Sequence, residues 1–264
     1  MTNVPRLVED ARTVLRETVE RGAGPHGWHA LEAMAWAGED PARAVEHLTA
    51  PLGPWDHFGA LAATAYLSVH HRVPGGIQDR LAAGYRDLTE HRRSVPVDPA
   101  LPPSPEVAAA SAIVRADRDL AEIGLLLGHN PEPFEAWAQA GAASVDRHLW
   151  AESAGTYADP AGPPDPLLGA AVLFASIPDR SRAERVAAAL RTGRPFPAPP
   201  PRPGRLLASL LALDGLRRYG FEPDAAALGA AMAAMLAEGL SSDDPGLRRV
   251  CAVAAVLAFE GAAG

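Results

Sequence analysis

Two short runs concentrate the side chains able to do chemistry, Pro25-His-Gly-Trp-His29 and Gly53-Pro-Trp-Asp-His-Phe58. An indole face stacks on the C–H groups of a sugar or polyol while neighbouring polar atoms fix its hydroxyls. A His–carboxylate pair exchanges protons near neutral pH. Asp56 and His57 are therefore the first acid–base candidates, and His26, Trp28, His29 and Trp55 are candidate ligand contacts. Asp243 joins the acid–base set. In Ser242-Asp-Asp-Pro245 its neighbour Asp244 already sits where a helix is capped, so capping does not account for Asp243. Glu106, Asp165, Arg202, Arg205 and Asp244 stand at helix starts and complete the candidate contacts, with Ser104, Arg248 and Arg249 beside them. For Ser104, Asp165 and Asp244, each immediately before a Pro, plain helix capping is the competing reading.

Other chemistries lack their residues. The nine His show no HxxxH or HExxH spacing, and the single Cys251 excludes a disulfide framework and a CxxC metal site. No GxGxxG, phosphate-binding loop or GxSxG run is present. Neither a metal nor a cofactor is expected. Acids outnumber bases 32 to 24, and all the bases are Arg. The net charge of -8 argues against a nucleic-acid surface. No apolar stretch is long enough for a membrane span, and acids occupy the N-terminal stretch where a secretory segment would be apolar. The expected setting is the cytoplasm, the expected partner a small molecule, and the oligomeric state is open.

The elements that must position these residues are helical. The 264 residues include 55 Ala and 30 Leu, both strong helix formers, and aromatics are only 6%. Twelve helices are predicted between Pro- and Gly-containing breaks. The first, second, fourth to seventh, tenth and twelfth cover about 5–21, 25–38, 54–71, 77–93, 104–128, 130–150, 202–220 and 244–260, and the third, eighth, ninth and eleventh start at Asp40-Pro41, Asp165-Pro166, Ser181 and Glu222-Pro223. Asp40-Pro41, Asn130-Pro131 and Asp244-Pro245 mark starts, and Ser181-Arg-Ala-Glu184 reads as a capping box. Segments 107–114, 167–177, 206–213 and 250–259 are apolar nearly all round, whereas 79–93 and 181–191 carry a charged face. Fully apolar helices are buried on all sides, and one-sided ones form an outer layer. Buried and amphipathic helices alternate six times, about 44 residues per pair, which is a repeat signature. The expectation is one all-α domain over 1–264, an (α/α)6 toroid of six hairpins. The N-termini of its inner helices surround one mouth, where they favour an anionic or electron-rich ligand.

Three stretches resemble a known family. They are Asp119-Leu-Ala-Glu-Ile-Gly-Leu-Leu-Leu-Gly128, Trp150-Ala-Glu-Ser-Ala-Gly-Thr-Tyr-Ala-Asp159 and Gly215-Leu-Arg-Arg-Tyr-Gly-Phe221. They are similar to the six-hairpin toroid of glycoside hydrolase family 63 and mannosylglycerate-hydrolase-like proteins. Fainter likeness runs through 16–29 and 40–44. The resemblance implies the toroid fold and a site at the inner-helix mouth, and it adds Tyr157 to the candidate contacts. Members of that family are inverting hydrolases with an Asp acid and a Glu base. Here the connection that would carry the Asp is only 94–103, SVPVDPALPP. The Glu position reads Ser241, and the family's Trp-Asp-Ser reads Trp28-His29-Ala30. The run before the fifth inner helix is reduced to Pro201-Arg-Pro-Gly-Arg205. These departures argue against hydrolysis by the family mechanism. The expected function is binding of, or action on, a small polar carbohydrate-like ligand. A repurposed cyclase, lyase or isomerase and a non-catalytic partner-binding module are the alternatives.

Overall fold

Ala- and Leu-rich runs broken by Pro, Asp and Gly fold as a succession of helices. The structure, a computed structural model, describes residues 2–18, 28–48, 57–73, 77–95, 101–193 and 203–259. Among these are twelve α-helices: α1 (Val4–Thr18), α2 (His29–Trp36), α3 (Pro41–Leu48), α4 (His57–Arg72), α5 (Gln78–Ser94), α6 (Val107–Leu126), α7 (Glu132–His148), α8 (Pro166–Gly169), α9 (Arg180–Thr192), α10 (Pro203–Arg218), α11 (Glu222–Leu240) and α12 (Pro245–Phe259). A ribbon of β1 (Trp150–Ala151) and β2 (Thr156–Tyr157) follows α7 in the chain and precedes α8. The helices gather into two compact units, α2–α7 in one and α1 with α8–α12 in the other.

In the first unit α4 lies between α2 and α6, and α3, α5 and α7 pack against these three. The sequence pattern explains the layering. From Val107 to Gly124 α6 is buried on nearly every side, as the apolar run 107–114 requires of its first two turns. In α5 burial is confined to Leu81, Gly84, Tyr85, Leu88, Thr89 and Arg92, one face of an amphipathic helix. In the second unit α10 contacts α8, α11 and α12, and α1 packs along α12. Arg249 to Phe259 of α12 is buried apart from Leu257. Each such Val or Phe contributes roughly 1.5–3 kcal/mol.

Three expected elements differ from those observed. Segment 167–177 is not one α-helix. α8 gives way after Gly169 to a 3-10 turn, Ala170–Leu173, and Ser176 takes φ 51°. Two close approaches accompany the change. A Cβ on Gly169 would collide with Thr156 Oγ1, and one on Gly215 of α10 would collide with Leu173 Cβ. Backbone runs directly against backbone here, and Pro178 turns the chain out of helix one residue earlier. The cap of α9 is Asp179, which accepts from Arg182 N at 2.8 Å, rather than Ser181. Extended backbone at Asp179 following Pro178 places its carboxylate at the helix entry, so Ser181 lies inside the first turn. Finally, α6 begins at Val107. Ser104 Oγ accepts from Glu106 N, and the first helical N–H donates instead to Asp159 Oδ1 at 2.6 Å.

Candidate functional site

The expected mouth residues at α8, α10 and α12 lie in one unit, where α10 touches both α8 and α12. Asp165 is the N-cap of α8. Its Oδ1 accepts from Leu167 N at 2.9 Å and Leu168 N at 3.4 Å. Its Oδ2 accepts from Arg205 Nη1 at 2.6 Å, linking the first turn of α10 to the start of α8. About a quarter of each side chain is exposed, 27% for Asp165 and 25% for Arg205. Capping and ion pairing together account for the side-chain oxygens of Asp165.

Asp244 caps α12 in the same way. Its Oδ1 accepts from Gly246 N at 2.9 Å and Leu247 N at 3.3 Å, and its own N–H donates to Ser242 Oγ. Asp243 is exposed, and among the described residues its carboxylate has no hydrogen-bond partner. Arg248 donates from Nε to Leu240 O at 3.2 Å, and its Nη2 lies 4.0 Å from Glu17 Oε2. Arg249 is buried. Ser241, at the position where the family resemblance implies a Glu, donates its hydroxyl to Ala237 O at 3.1 Å.

In the other unit Trp28 immediately precedes α2 and is 1% exposed. His29 and His57 are the first residues of α2 and α4. Glu106 is exposed at the start of α6. Tyr157, on β2 in the same unit as α8–α12, is fully buried. Trp28 and Tyr157 are thus both almost wholly removed from solvent in this structure. His26, Trp55, Asp56 and Arg202 lie outside the described residues.

The motifs that carried the resemblance are tied to packing. Gly155 takes φ +63°, which favours Gly, and nearby Glu152 pairs with Arg185 at 2.6 Å. Tyr219 Oη donates to Pro178 O at 2.6 Å, its ring stacks on Phe221, and the Arg180 guanidinium lies 4.3 Å from the Phe221 ring. Gly220 between the two aromatics takes φ +71°. His71 at the end of α4 sits 3.4 Å from Glu122. Arg217 and Arg218 at the end of α10 bond Ala258 O and Asp214.

The sequence reading missed the buried polar pairs. On α6, Asp117 receives two bonds from Arg92, at 2.6 and 2.9 Å, both residues being 2% exposed or less. Arg92 also lies 4.9 Å from the Trp137 ring. Asp119 accepts from Thr64 Oγ1 at 2.6 Å and lies 2.7 Å from Arg115 Nη2. Burial pushes both carboxyls above the ordinary range, and the adjacent Arg groups oppose that rise. Glu32, 1% exposed, meets His47 Nδ1 at 3.2 Å. The available signal was acids inside otherwise apolar helices. Cys251 is buried, which pushes its thiol up to about 12 and removes nucleophilic character. Among the described residues no three His, Cys, Asp or Glu converge as a metal site, and no helix is long and apolar enough to cross a membrane.

The structure superposes on the glycoside hydrolase family 63 mannosylglycerate hydrolase of Thermus thermophilus, solved with Tris, with a TM-score of 0.74. The match covers 95% of this chain and 99% of the other, at 18% identity. The chain has the (α/α)6 toroid fold. A rhamnosidase from Klebsiella oxytoca with rhamnose bound matches with a TM-score of 0.71 and 10% identity, over 98% of this chain and 64% of its own. By sequence, a mannosylglycerate hydrolase from Rubrobacter radiotolerans is 31% identical over 147 residues, 46% of this chain. That match spans 33% of the relative's length. No protein-family model matches the chain. The toroid expected from alternating buried and amphipathic helices is therefore the fold observed, and the chain is similar to mannosylglycerate hydrolases.

Proposed function

We propose that the chain binds, or acts on, a small polar carbohydrate-like ligand at the N-terminal ends of α8, α10 and α12. The observation that carries this reading is the partly exposed Asp165–Arg205 pair, 2.6 Å apart, which bridges the starts of α8 and α10. The pair makes a partly exposed polar junction between two helix starts, and Asp243, exposed at the start of α12, supplies a carboxylate free of capping duty. Support also comes from solved proteins of this fold that hold small polyhydroxyl molecules, glucose and rhamnose among them. Asp56 and His57 remain a second pair of acid–base candidates, on sequence grounds alone. Inverting hydrolysis by the family's two carboxylates is not part of the proposal. Its base position is Ser241, and that hydroxyl is bonded within its own helix turn.

The test is a binding screen by thermal shift and calorimetry against glucose, rhamnose and D-glycerate. A ligand at a hundred times its Kd stabilises the fold by about 2.7 kcal/mol. The expected result is stabilisation by at least one of the three, lost in Arg205→Ala. Absence of stabilisation by all three, with a cooperative melt intact, overturns the reading.

A further inference from the structure

We draw no further inference here: the strongest candidate, the open groove of about 590 Å³ between α6 and α7 lined by Arg118, Glu122, Leu125, Glu135 and Gln139, carries nothing because it is a surface recess and nothing in the structure shows what covers it.

Discussion

The backbone N–H of Val107 donates to Oδ1 of Asp159 at 2.6 Å, so the acid that ends the Trp150–Asp159 motif caps a helix that starts 52 residues earlier. Glu106, the local residue at that start, makes no side-chain cap bond. Asp159→Ala should therefore destabilise by about 1 kcal/mol, as cap losses do, and Asp159→Asn, which keeps an acceptor, should recover most of it. Urea melts of the two variants read this directly. Equal losses in both would show that the carboxylate's charge, rather than its acceptor oxygen, is what matters.

The Arg92–Asp117 pair makes a larger demand on the core. Both side chains are removed from water, so deleting one leaves the other charged and uncompensated. Arg92→Met and Asp117→Leu should each cost about 3–5 kcal/mol, and the double variant should cost much less than the sum. Denaturant unfolding of the three variants gives the coupling. Additive losses would mean that the pair's members stabilise through separate contacts.

Asp119 gives the pH dependence its sign. Burial raises its carboxyl above the ordinary value in the folded state, and Arg115 and Thr64 counter that only in part. A folded-state value above the unfolded one means that the folded chain holds the proton more tightly. The contribution to stability is then full below the unfolded value and falls as pH rises to the folded value. Asp119→Asn should flatten stability against pH across that acidic window. Melts at a series of acidic pH values check it, and a slope equal to the wild type would assign the dependence elsewhere.

The helices were legible because the signals that set them are local. Asp40 caps α3 at Arg43 N, Asp165 caps α8 and Asp244 caps α12, each beside its Pro as the sequence suggests. The alternation of all-apolar and one-sided segments gave the two layers for the same reason. What was not legible depends on distant partners. No local pattern announces that Asp159 serves Val107, that Arg92 reaches Asp117, or that Gly215 lies so close to Leu173 and Phe174 that a Cβ would not fit. The candidate site divides likewise. Residue type picked out Asp165 and Arg205 separately, whereas their pairing required the fold. Trp28 was chosen as a ring suited to sugars and Tyr157 through the resemblance, and local sequence did not announce that both are buried.

Asp243 offers the sharpest separation of function from stability. It is exposed, and its neighbour Asp244 performs the capping. Asp243→Asn should accordingly shift unfolding free energy by no more than about 0.5 kcal/mol, whereas Asp244→Ala should cost about 1 kcal/mol through loss of the cap. If Asp243 moves a proton in the reaction, its amide variant should lower turnover by roughly 10²–10⁴-fold, the usual range for a general acid or base. Glucose affinity should change far less, because the amide still accepts and donates hydrogen bonds. The two variants therefore separate in opposite directions, one losing rate with its melt intact and the other losing stability. Full turnover in Asp243→Asn would remove Asp243 from the chemistry and leave Asp56 and His57 as the groups to substitute next.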